Sequence, residues 1–278
     1  MITAAQKETP YGVQNEFGSL MRYWRGTRGK SQLEVSLDTG ISQRHISFIE
    51  SGRSTPSRQT LVSIAQALDV PLRERNTLLQ AAGYAAMYSE GPLEALEMQS
   101  LRKALDRILR QQAPFPALVM DRYWNVLLTN DDAPRFFNCF INMSARTGPR
   151  NMLHLIFDPQ GMRPFMADWE HTAHSLIQRV YRESVGRVID EKTDELLSAL
   201  GSYPDVKPEW KRPGSSAAIP NGPVIPLSFL KDGVRLNYFS MVTTVGTPQT
   251  ISAQELRIEC MFPADNITEA KHLRMLGH

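Results

Sequence analysis

The segment SQLEVSLDTGISQRHISFIESG, residues 31–52, decides the fold of the first part of the chain. Ser31 followed three residues later by Glu34 is the pattern of a capping box, which predicts a helix start. Gly40 allows the left-handed backbone of a tight turn, and Ser42 is a good N-cap for a second helix. The segment therefore predicts two short helices joined by a sharp turn.

The second of these helices has a polar outer surface. Ile46 and Ile49 are three residues apart and predict the face that packs inward. The outer surface then carries an amide, a guanidinium, a hydroxyl and a phenyl ring, from Gln43, Arg44, Ser47 and Phe48. Glutamine matches the edge of adenine, arginine that of guanine, and an apolar group can contact a thymine methyl. We therefore expect this helix to read bases in the major groove of DNA.

Basic residues are concentrated around the two helices. The whole chain has a net charge of +2, yet the stretch 22–58 carries seven Lys or Arg against three acids, a local charge of +4. Phosphate binding requires such a local basic surface. The charge count by itself is equally compatible with an ordinary solvated face, so it supports DNA binding only together with the helix pattern.

Helical patterns continue on both sides of this segment. Phe17 to Arg28 has apolar residues at spacings of three and four, Ser57 caps a further helix, and a last one runs from Pro71 to Gly83. These patterns predict an all-α bundle of five short helices, which we assign to a domain of residues 1–88.

Residues 31–70 resemble the Cro/C1-type (XRE) family of helix-turn-helix proteins. The resemblance rests on the Ser-Gln start, the Gly-Ile-Ser turn, the Ile-Ser-x-Ile-Glu-x-Gly run of residues 46–52 and the Pro-Ser-x-x-Thr-Leu start of the next helix. Val35 departs from the family, which usually has leucine there, and it changes packing volume only. The resemblance implies that Gln32 contacts a phosphate from a helix start, and that bases are read by Gln43, Arg44 and Phe48.

Pattern and resemblance together predict a domain that binds double-stranded operator DNA. The alternative is a helix-turn-helix used only for protein contact. The residues predicted to contact DNA are Lys30, Gln32, Ser42, Gln43, Arg44, Ser47, Phe48, Arg53 and Arg58.

The second part of the chain combines short strands with helices. Helices are predicted in NDDAPRFFNCF, at 151–157, over 163–185 as the longest, and at 191–200. Strands are predicted at residues 117–120 and 124–129, around a turn at 121–123, and later at 224–230, 235–244 and 256–262. This order predicts a five-stranded antiparallel sheet with helices on one face, and therefore an α+β chain.

Three stretches resemble the ligand-binding domain of MmyB-like transcription regulators: PFPALVMDRYWNVLLTN, LIFDPQGMRPFMADWE and GTPQTISAQELRIECMFPAD. The early strand, turn, strand, asparagine and short aromatic helix also resemble a PAS domain. The resemblance covers roughly residues 95–276. It implies a bacterial regulator whose PAS-like domain can hold a fatty-acid-like molecule. The loops NMSARTGPR and KRPGSSAAIPNGP look particular to this chain and leave the ligand open, since loops often shape a pocket mouth.

Residues 89–112 are predicted to form a connector helix, and residues 113–278 the PAS-like domain. Because one helix-turn-helix reads only a few base pairs, we predict a homodimer in which the second domain supplies most of the contact. Ligand binding is expected to change DNA affinity through the connector. The apolar stripe of the connector either packs on the next domain or forms a dimer seam; it consists of Leu101, Leu105, Ile108 and Leu109.

Aromatic and methionine side chains of the second domain predict a core and a small-molecule pocket. Most of them should be plain packing, yet a PAS-like sheet and its helices commonly leave a cavity, and apolar cavities are the usual small-molecule sites. The pocket is expected between strands 124–129 and 235–244 and the long helix. The predicted ligand contacts are Trp124, Phe136, Phe137, Phe165, Trp169, Tyr238 and Met241. A ligand carboxylate would need a donor, with Arg122, Asn125, His154 and Arg163 as unranked candidates.

Enzymatic and metal-dependent functions are not expected. Glu170, His171 and His174 lack the His-Glu-x-x-His order of zinc proteases, and no second Cys/His cluster follows them. The chain has neither a glycine-rich phosphate loop nor a Gly-x-Ser-x-Gly nucleophile motif. We therefore predict no metal, no cofactor and no catalytic residue.

Composition indicates a cytoplasmic protein without a membrane partner. No apolar run reaches the roughly 20 residues of a membrane span, and the start MITAAQKETP lacks the pattern of a secretory signal. Two cysteines suit a reducing compartment. Altogether the sequence predicts a DNA-binding transcriptional regulator that senses a small apolar or fatty-acid-like ligand. The alternative is a regulator whose second domain binds a protein partner or only dimerises, without a ligand.

Overall fold

The structure is a computed structural model that describes residues 16–183, 190–211 and 227–277. It contains two compact units. The first is formed by the chain up to Glu90 together with residues 249–251, and the second by the chain from Gly91 onward without those residues. Among the described residues, no helix combines the length and the hydropathy that a membrane span requires.

The first unit is helical, as the sequence predicts. Ser31 and Glu34 form the predicted capping box, because the serine hydroxyl accepts from the amide of Glu34 and the glutamate carboxylate accepts from the amide of Ser31. Gly40 has a φ of 71°, the left-handed conformation that a tight turn needs. The helices are α1 (Glu16–Thr27), α2 (Gln32–Thr39), α3 (Gln43–Glu50), α4 (Arg58–Ala67) and α5 (Leu72–Ala81).

The core of this unit is built from one face of each helix. The predicted inward residues Ile46 and Ile49 are fully buried, and Gly18 of α1 allows that helix to approach α3 closely. A Cβ atom at Gly18 would lie 2.6 Å from the carbonyl oxygen of Glu50, so only glycine fits this crossing. The other large buried side chains are Met21, Trp24, Leu61, Ile64, Leu68, Leu78 and Leu79.

The second unit contains, among its described residues, five strands in one antiparallel sheet of order β2-β1-β5-β4-β3. The first two strands in the chain pair at one side of the sheet, and the last one enters beside β1. The strands are β1 (Ala117–Met120), β2 (Val126–Thr129), β3 (Leu227–Lys231), β4 (Val234–Thr243) and β5 (Arg257–Pro263). This confirms the predicted sheet; residues 224–226 of the third predicted strand lie outside the described residues.

Helices pack on both faces of this sheet, whereas the sequence predicts them on one face only. The reason is that β1 is apolar on both sides and buried along its whole length. Leu118 and Met120 of β1 point into the main core, whereas their neighbours Ala117 and Val119 point into a smaller core on the opposite face. The helices are α6 (Gln99–Gln111), α7 (Asp132–Asn138), α8 (Met152–Phe157), α9 (Trp169–Glu183), α10 (Glu191–Gly201), α11 (Ile251–Glu255) and α12 (Asn266–Leu276).

The apolar stripe of the predicted connector lies in the smaller core. Leu105 and Leu109 of α6 are buried against Ala117, Val119 and β5. Ile108 remains 37 % exposed. Of the two alternatives for this stripe, the structure therefore shows packing on the following domain.

The turn after β1 differs from the prediction. Trp124 was expected inside a strand, but it lies in the turn with a φ of 66°, and β2 begins at Val126. The cause is Asp121, whose carboxylate accepts from the amides of Tyr123 and Asn125 and so extends the turn.

The predicted long helix over 163–185 is also wrong in its first part. Residues Arg163–Phe165 form a separate turn of 3₁₀ helix, and α9 begins only at Trp169. Between them the backbone is extended because Met166 pairs with Phe229 of β3, and the amide of Ala167 donates to Ser228 at 2.9 Å. Residues 184 and 185 lie outside the described residues.

Asn130 fastens the first strands to α7. Its side-chain oxygen accepts from the amides of Ala117 and Ala133, at 3.1 and 3.0 Å, and its side-chain nitrogen donates to the carbonyl of Phe115 at 2.8 Å. The residue is buried, so these bonds replace water for three backbone groups. This arrangement fixes where α7 starts, and α7 carries one wall of the cavities described below.

Candidate functional sites

The outer surface of α3 presents the groups that the sequence predicts to read DNA. Gln43 and Arg44 are exposed at its start, and Ser47 and Phe48 are half-buried one turn later. Two guanidinium groups lie near the Phe48 ring: the central carbon of Arg44 is 5.3 Å and that of Arg53 is 5.9 Å from the ring centre. This surface combines positive charge, hydrogen-bond donors and one apolar ring, which suits a base edge and its phosphates.

Other predicted DNA contacts also hold the helices in place. The ammonium group of Lys30 donates to Asp38 at 2.6 Å and to the carbonyl of Ala67 at 2.8 Å. The Gln32 side-chain nitrogen donates to Glu50 at 2.8 Å. The Ser42 hydroxyl caps α3 by accepting from an amide in its first turn. Arg53 and Arg58 are exposed beside α3 and at the start of α4.

The buried carboxylate of Glu50 holds together the helices beneath this surface. Glu50 is 3 % exposed and accepts from Arg25 at 2.6 and 3.0 Å as well as from Gln32. Burial acts to raise the pKa of Glu50, but the hydrogen bonds from Arg25 and Gln32 outweigh it and hold the pKa below its usual range. Sequence reasoning missed this network. The available signal was an acidic residue directly after the inward-facing Ile49.

In the second unit, a cavity of about 240 Å³ lies between the sheet and the helices α8 and α9. We call it the first cavity. Trp124 and Phe137, two of the predicted ligand contacts, line it. Its apolar walls include Leu118, Met120, Met152, Ile156, Phe229 and Met261.

Polar groups occur at a few points of the first cavity. The indole nitrogen of Trp124 and the hydroxyl of Ser175 are buried and have no hydrogen-bond partner among the described residues. Arg179 also lines the cavity, with its guanidinium carbon 4.5 Å from the centre of the Trp124 ring. Its nitrogens contact Glu183 at 2.7 Å and Glu259 at 3.4 Å. Burial acts to lower the pKa of Arg179, but these two carboxylates outweigh it and raise the pKa.

The remaining predicted ligand contacts lie outside the lining of the first cavity. Phe136 and Tyr238 are fully buried, and the Tyr238 hydroxyl forms a 2.8 Å hydrogen bond with Nδ1 of His272. Burial raises the pKa of Tyr238 far above its ordinary value. Phe165 and Trp169 pack at the edge of the main core, and Met241 is 59 % exposed on β4.

The candidate carboxylate donors are bonded to protein groups outside the first cavity. Arg122 pairs with Asp190 and Glu255, and Asn125 donates to Asp121. Nδ1 of His154 lies 2.8 Å from the Tyr203 hydroxyl, and Arg163 pairs with Asp205. None of the four lines the first cavity.

A second cavity of about 310 Å³ adjoins the first. The loop of residues 142–150, singled out in the sequence as particular to this chain, supplies one wall, and Leu118, Phe137 and Met152 line both cavities. Arg146 projects from this loop into the lining. Sequence reasoning did not identify Arg146, because nothing local distinguishes it from the exposed Arg150 nearby.

The acidic and histidine residues of α9 belong to surface contacts. Glu170 pairs with Lys207, and the ring of His174 stacks on Trp210 with centroids 5.6 Å apart. Within the part of the chain that the structure describes, no group of three His, Cys, Asp or Glu side chains could hold a metal ion.

Comparison with known proteins identifies the two halves of the chain. A helix-turn-helix family matches residues 21–75, which include α2 and α3. The MmyB-like transcription regulator ligand binding domain matches residues 101–276, more than half of the chain and including both cavities. No curated protein matches the sequence. The chain therefore belongs to the MmyB-like transcription regulators, with a helix-turn-helix DNA-binding domain followed by a ligand-binding domain.

Proposed function

We propose that this regulator acts in the cytoplasm as a homodimer, binds operator DNA through α3, and changes its DNA affinity when a small apolar or fatty-acid-like ligand enters the first cavity. The PAS-like description of the second domain is part of the proposal. It is supported by β1, the Asp121 turn, β2, the buried Asn130 and the aromatic α7 in that order.

The observation that carries the ligand proposal is the pair of unpartnered polar groups in an apolar cavity. Buried polar groups nearly always have hydrogen-bond partners, and each one left without costs about 1–3 kcal/mol. A core shaped only for packing would carry apolar atoms at Trp124 Nε1 and Ser175 Oγ. A ligand with an apolar body and an oxygen atom would cover the walls and accept or donate these hydrogen bonds.

The DNA proposal is supported by the exposed side chains at the start of α3. Gln43 and Arg44 have no role in the core, and both residue types form bidentate contacts with base edges. Arg53 and Arg58 flank them with positive charge that suits phosphates. As part of the proposal, we assign residues 1–88 to the DNA-binding domain, 89–112 to a connector and 113–278 to the domain that holds the ligand.

The homodimer proposal follows from the size of the recognition surface. One short helix contacts only a few base pairs, and two copies bind half-sites about 34 Å apart on one face of the duplex. Sedimentation of the full chain at micromolar concentration, with and without DNA, should give a dimer. A monomer under both conditions would overturn this part of the proposal.

The test of the sensor proposal combines three measurements on the full chain. Organic extraction and mass spectrometry of the purified protein should show a co-purifying lipid. Medium- and long-chain fatty acids should raise the melting temperature, because a ligand that binds only the folded state stabilises it. DNA titrations with and without the fatty acid should then give different operator affinities, by about 5- to 150-fold if the coupling is typical.

A variant pair makes this test specific to the first cavity. Ser175→Leu places a larger side chain at the buried lining position and should abolish the thermal shift. Ser198→Leu makes the same change at an exposed position of α10 and should preserve it. If a fatty acid binds in the cavity and operator affinity stays unchanged at every salt concentration, the sensor proposal is wrong, and the domain is better described as a dimerisation or protein-binding module.

A further inference from the structure

We infer that the second cavity is the acid-binding end of the ligand site and that Arg146 binds the carboxylate of an amphipathic acid whose chain reaches into the first cavity. This inference rests on the proposed function, since it concerns how the proposed ligand is held. It assigns a binding role to Arg146, which the sequence patterns do not single out.

Arg146 is a buried cation with hydrogen-bonding capacity left over. Its side chain is only 12 % exposed, and Nη1 contacts the carboxylate of Asp158 at 3.1 Å. Nη2 is buried without a partner among the described residues. A guanidinium presents paired N–H groups that match a carboxylate, and such charge-assisted bonds are about twice as strong as neutral ones. A ligand carboxylate would therefore supply the acceptor that Nη2 lacks.

The charges around the second cavity favour an anion. Arg146 and the exposed Arg150 both line the cavity, whereas none of its described lining residues carries a carboxylate; Asp158, the partner of Arg146, lies outside the lining. The amide side chain of Asn151 is fully used, because its oxygen accepts from two backbone amides and its nitrogen donates to Tyr123 and Asn125. Nη2 of Arg146 is thus the buried cationic group of this lining that remains for a ligand.

The charges of the first cavity are less favourable for the acid end of the ligand. Two arginines line it: the exposed Arg182, and Arg179, which already contacts the carboxylates of Glu183 and Glu259. Glu259 itself lines the cavity, so a ligand carboxylate there would meet a like charge. The buried charges of the two cavities therefore orient the ligand, with its acid at Arg146 and its apolar chain toward Trp124.

The two cavities are close enough to form one site. Leu118, Phe137 and Met152 line both of them, so the two spaces share a wall made of these side chains. The first cavity alone, at about 240 Å³, is below the roughly 300–1,000 Å³ of common small-molecule pockets, and the second adds about 310 Å³. Methionine is unbranched and adapts its shape readily, so Met152 can rearrange around a passing chain.

The test uses two probes that differ only in the head group, dodecanoic acid and dodecan-1-ol, measured against the full-length protein by displacement of a fluorescent fatty-acid analogue. The wild type should bind the acid more tightly. Arg146→Met should weaken binding of the acid by about ten- to a hundredfold, which corresponds to the loss of one hydrogen bond to a charged group. It should leave the affinity for the alcohol unchanged, and this unchanged affinity also shows that the variant is folded.

Three further variants sharpen the result. Arg146→Lys keeps the charge but loses the paired geometry, and it should recover part of the acid affinity. Gly148→Ala would place a Cβ atom 2.8 Å from Nη2 of Arg146, so it should reduce acid binding selectively while keeping the arginine. Arg163→Met removes an arginine that is also paired with an aspartate but lies outside both cavities, and it should change neither probe.

The outcomes separate this inference from the proposed function. If the wild type binds both probes with equal affinity, or if Arg146→Met and Gly148→Ala weaken acid and alcohol alike, the assignment of Arg146 is wrong and the sensor proposal stands. If the wild type binds neither these probes nor any longer fatty acid, the proposed function itself fails and takes this inference with it.

Discussion

Nε of Arg25 in α1 lies 2.6 Å from Oε1 of Glu50 at the end of α3, and Nη2 of the same arginine lies 3.0 Å from Oε2. The two-point contact joins α3 to the first helix of the bundle. Gln32 at the start of α2 donates to the same carboxylate. A single buried charge thus fixes the relative positions of three helices.

Glu50→Gln should lower the free energy of unfolding of the first unit by about 3 kcal/mol, because it leaves the mostly buried Arg25 without its counter-charge. Urea denaturation followed by circular dichroism measures the change. Asp38→Asn is the matched control, since its pair with Lys30 is largely solvent-accessible and should be worth less than about 1 kcal/mol. Equal losses from the two variants would contradict a dominant role for the buried network.

Arg44→Ala should relax operator specificity by about 1–3 kcal/mol at one base pair, because it removes a base contact. Arg58→Ala should instead weaken all DNA sequences alike and reduce the salt slope by about one, because it removes a phosphate contact. Fluorescence-anisotropy titrations against operator and scrambled duplexes at several salt concentrations distinguish the two effects. Unchanged operator preference in Arg44→Ala would show that another surface reads the bases.

Ser175→Ala should stabilise the ligand-free protein by about 1 kcal/mol, because it removes a buried hydroxyl that has no partner. The same change should reduce the rise in melting temperature caused by a bound ligand if the hydroxyl contacts it. Differential scanning calorimetry of wild type and variant, each with and without fatty acid, measures both effects. Destabilisation of the ligand-free protein would mean that the hydroxyl already has a partner in solution.

Asn130→Ala should destabilise the second unit by about 3 kcal/mol, because two buried backbone amides lose their acceptor and one carbonyl loses its donor. Asn142→Ala is the control: it removes an asparagine that caps an exposed turn and should cost about 1 kcal/mol or less. Thermal unfolding of the two variants should differ clearly, and similar melting temperatures would refute the structural role of Asn130.

Stability should fall as the pH drops below about 6.5, in part through His154. Burial and the nearby Arg146 lower the pKa of His154 in the folded protein. The unfolded chain therefore binds more protons, and the stabilisation is present above the unfolded pKa and lost as the pH falls through the folded one. His154→Gln should flatten the melting temperature between pH 7 and 5, whereas Tyr203→Phe, which keeps the imidazole, should retain the slope. Identical slopes in wild type and His154→Gln would exclude this contribution.

Local signals in the sequence were sufficient for much of the fold. The caps at Ser31 and Ser42, the turn at Gly40 and the spacing of Ile46 and Ile49 predict α2 and α3, because helix ends and faces depend on near neighbours. The helix over 163–185 failed for the opposite reason. Met166 is extended because it pairs with a strand some sixty residues later, and no local pattern reports that contact.

The candidate site was less accessible to sequence reasoning. Trp124 and Phe137 were identified because large aromatic residues concentrate near cavities and cores alike. Arg146 was not, since its burial depends on the backbone that folds over it: a Cβ atom at Gly161 would lie 2.8 Å from Nη1 of the guanidinium. Contacts with distant parts of the backbone determine which arginine is buried. The sequence shows only that the loop contains arginines.

The left-handed backbone of Trp124 has a cost that glycine or asparagine would largely avoid. A bulky residue at a φ of 66° costs on the order of 1–3 kcal/mol, and its indole nitrogen is buried without a partner as well. A turn selected for stability alone would not combine these two penalties at one position. Trp124 thus marks a place where folding free energy is given up to keep an indole at the wall of a cavity. Under the sensor proposal, a ligand that bonds to this indole would recover part of that free energy.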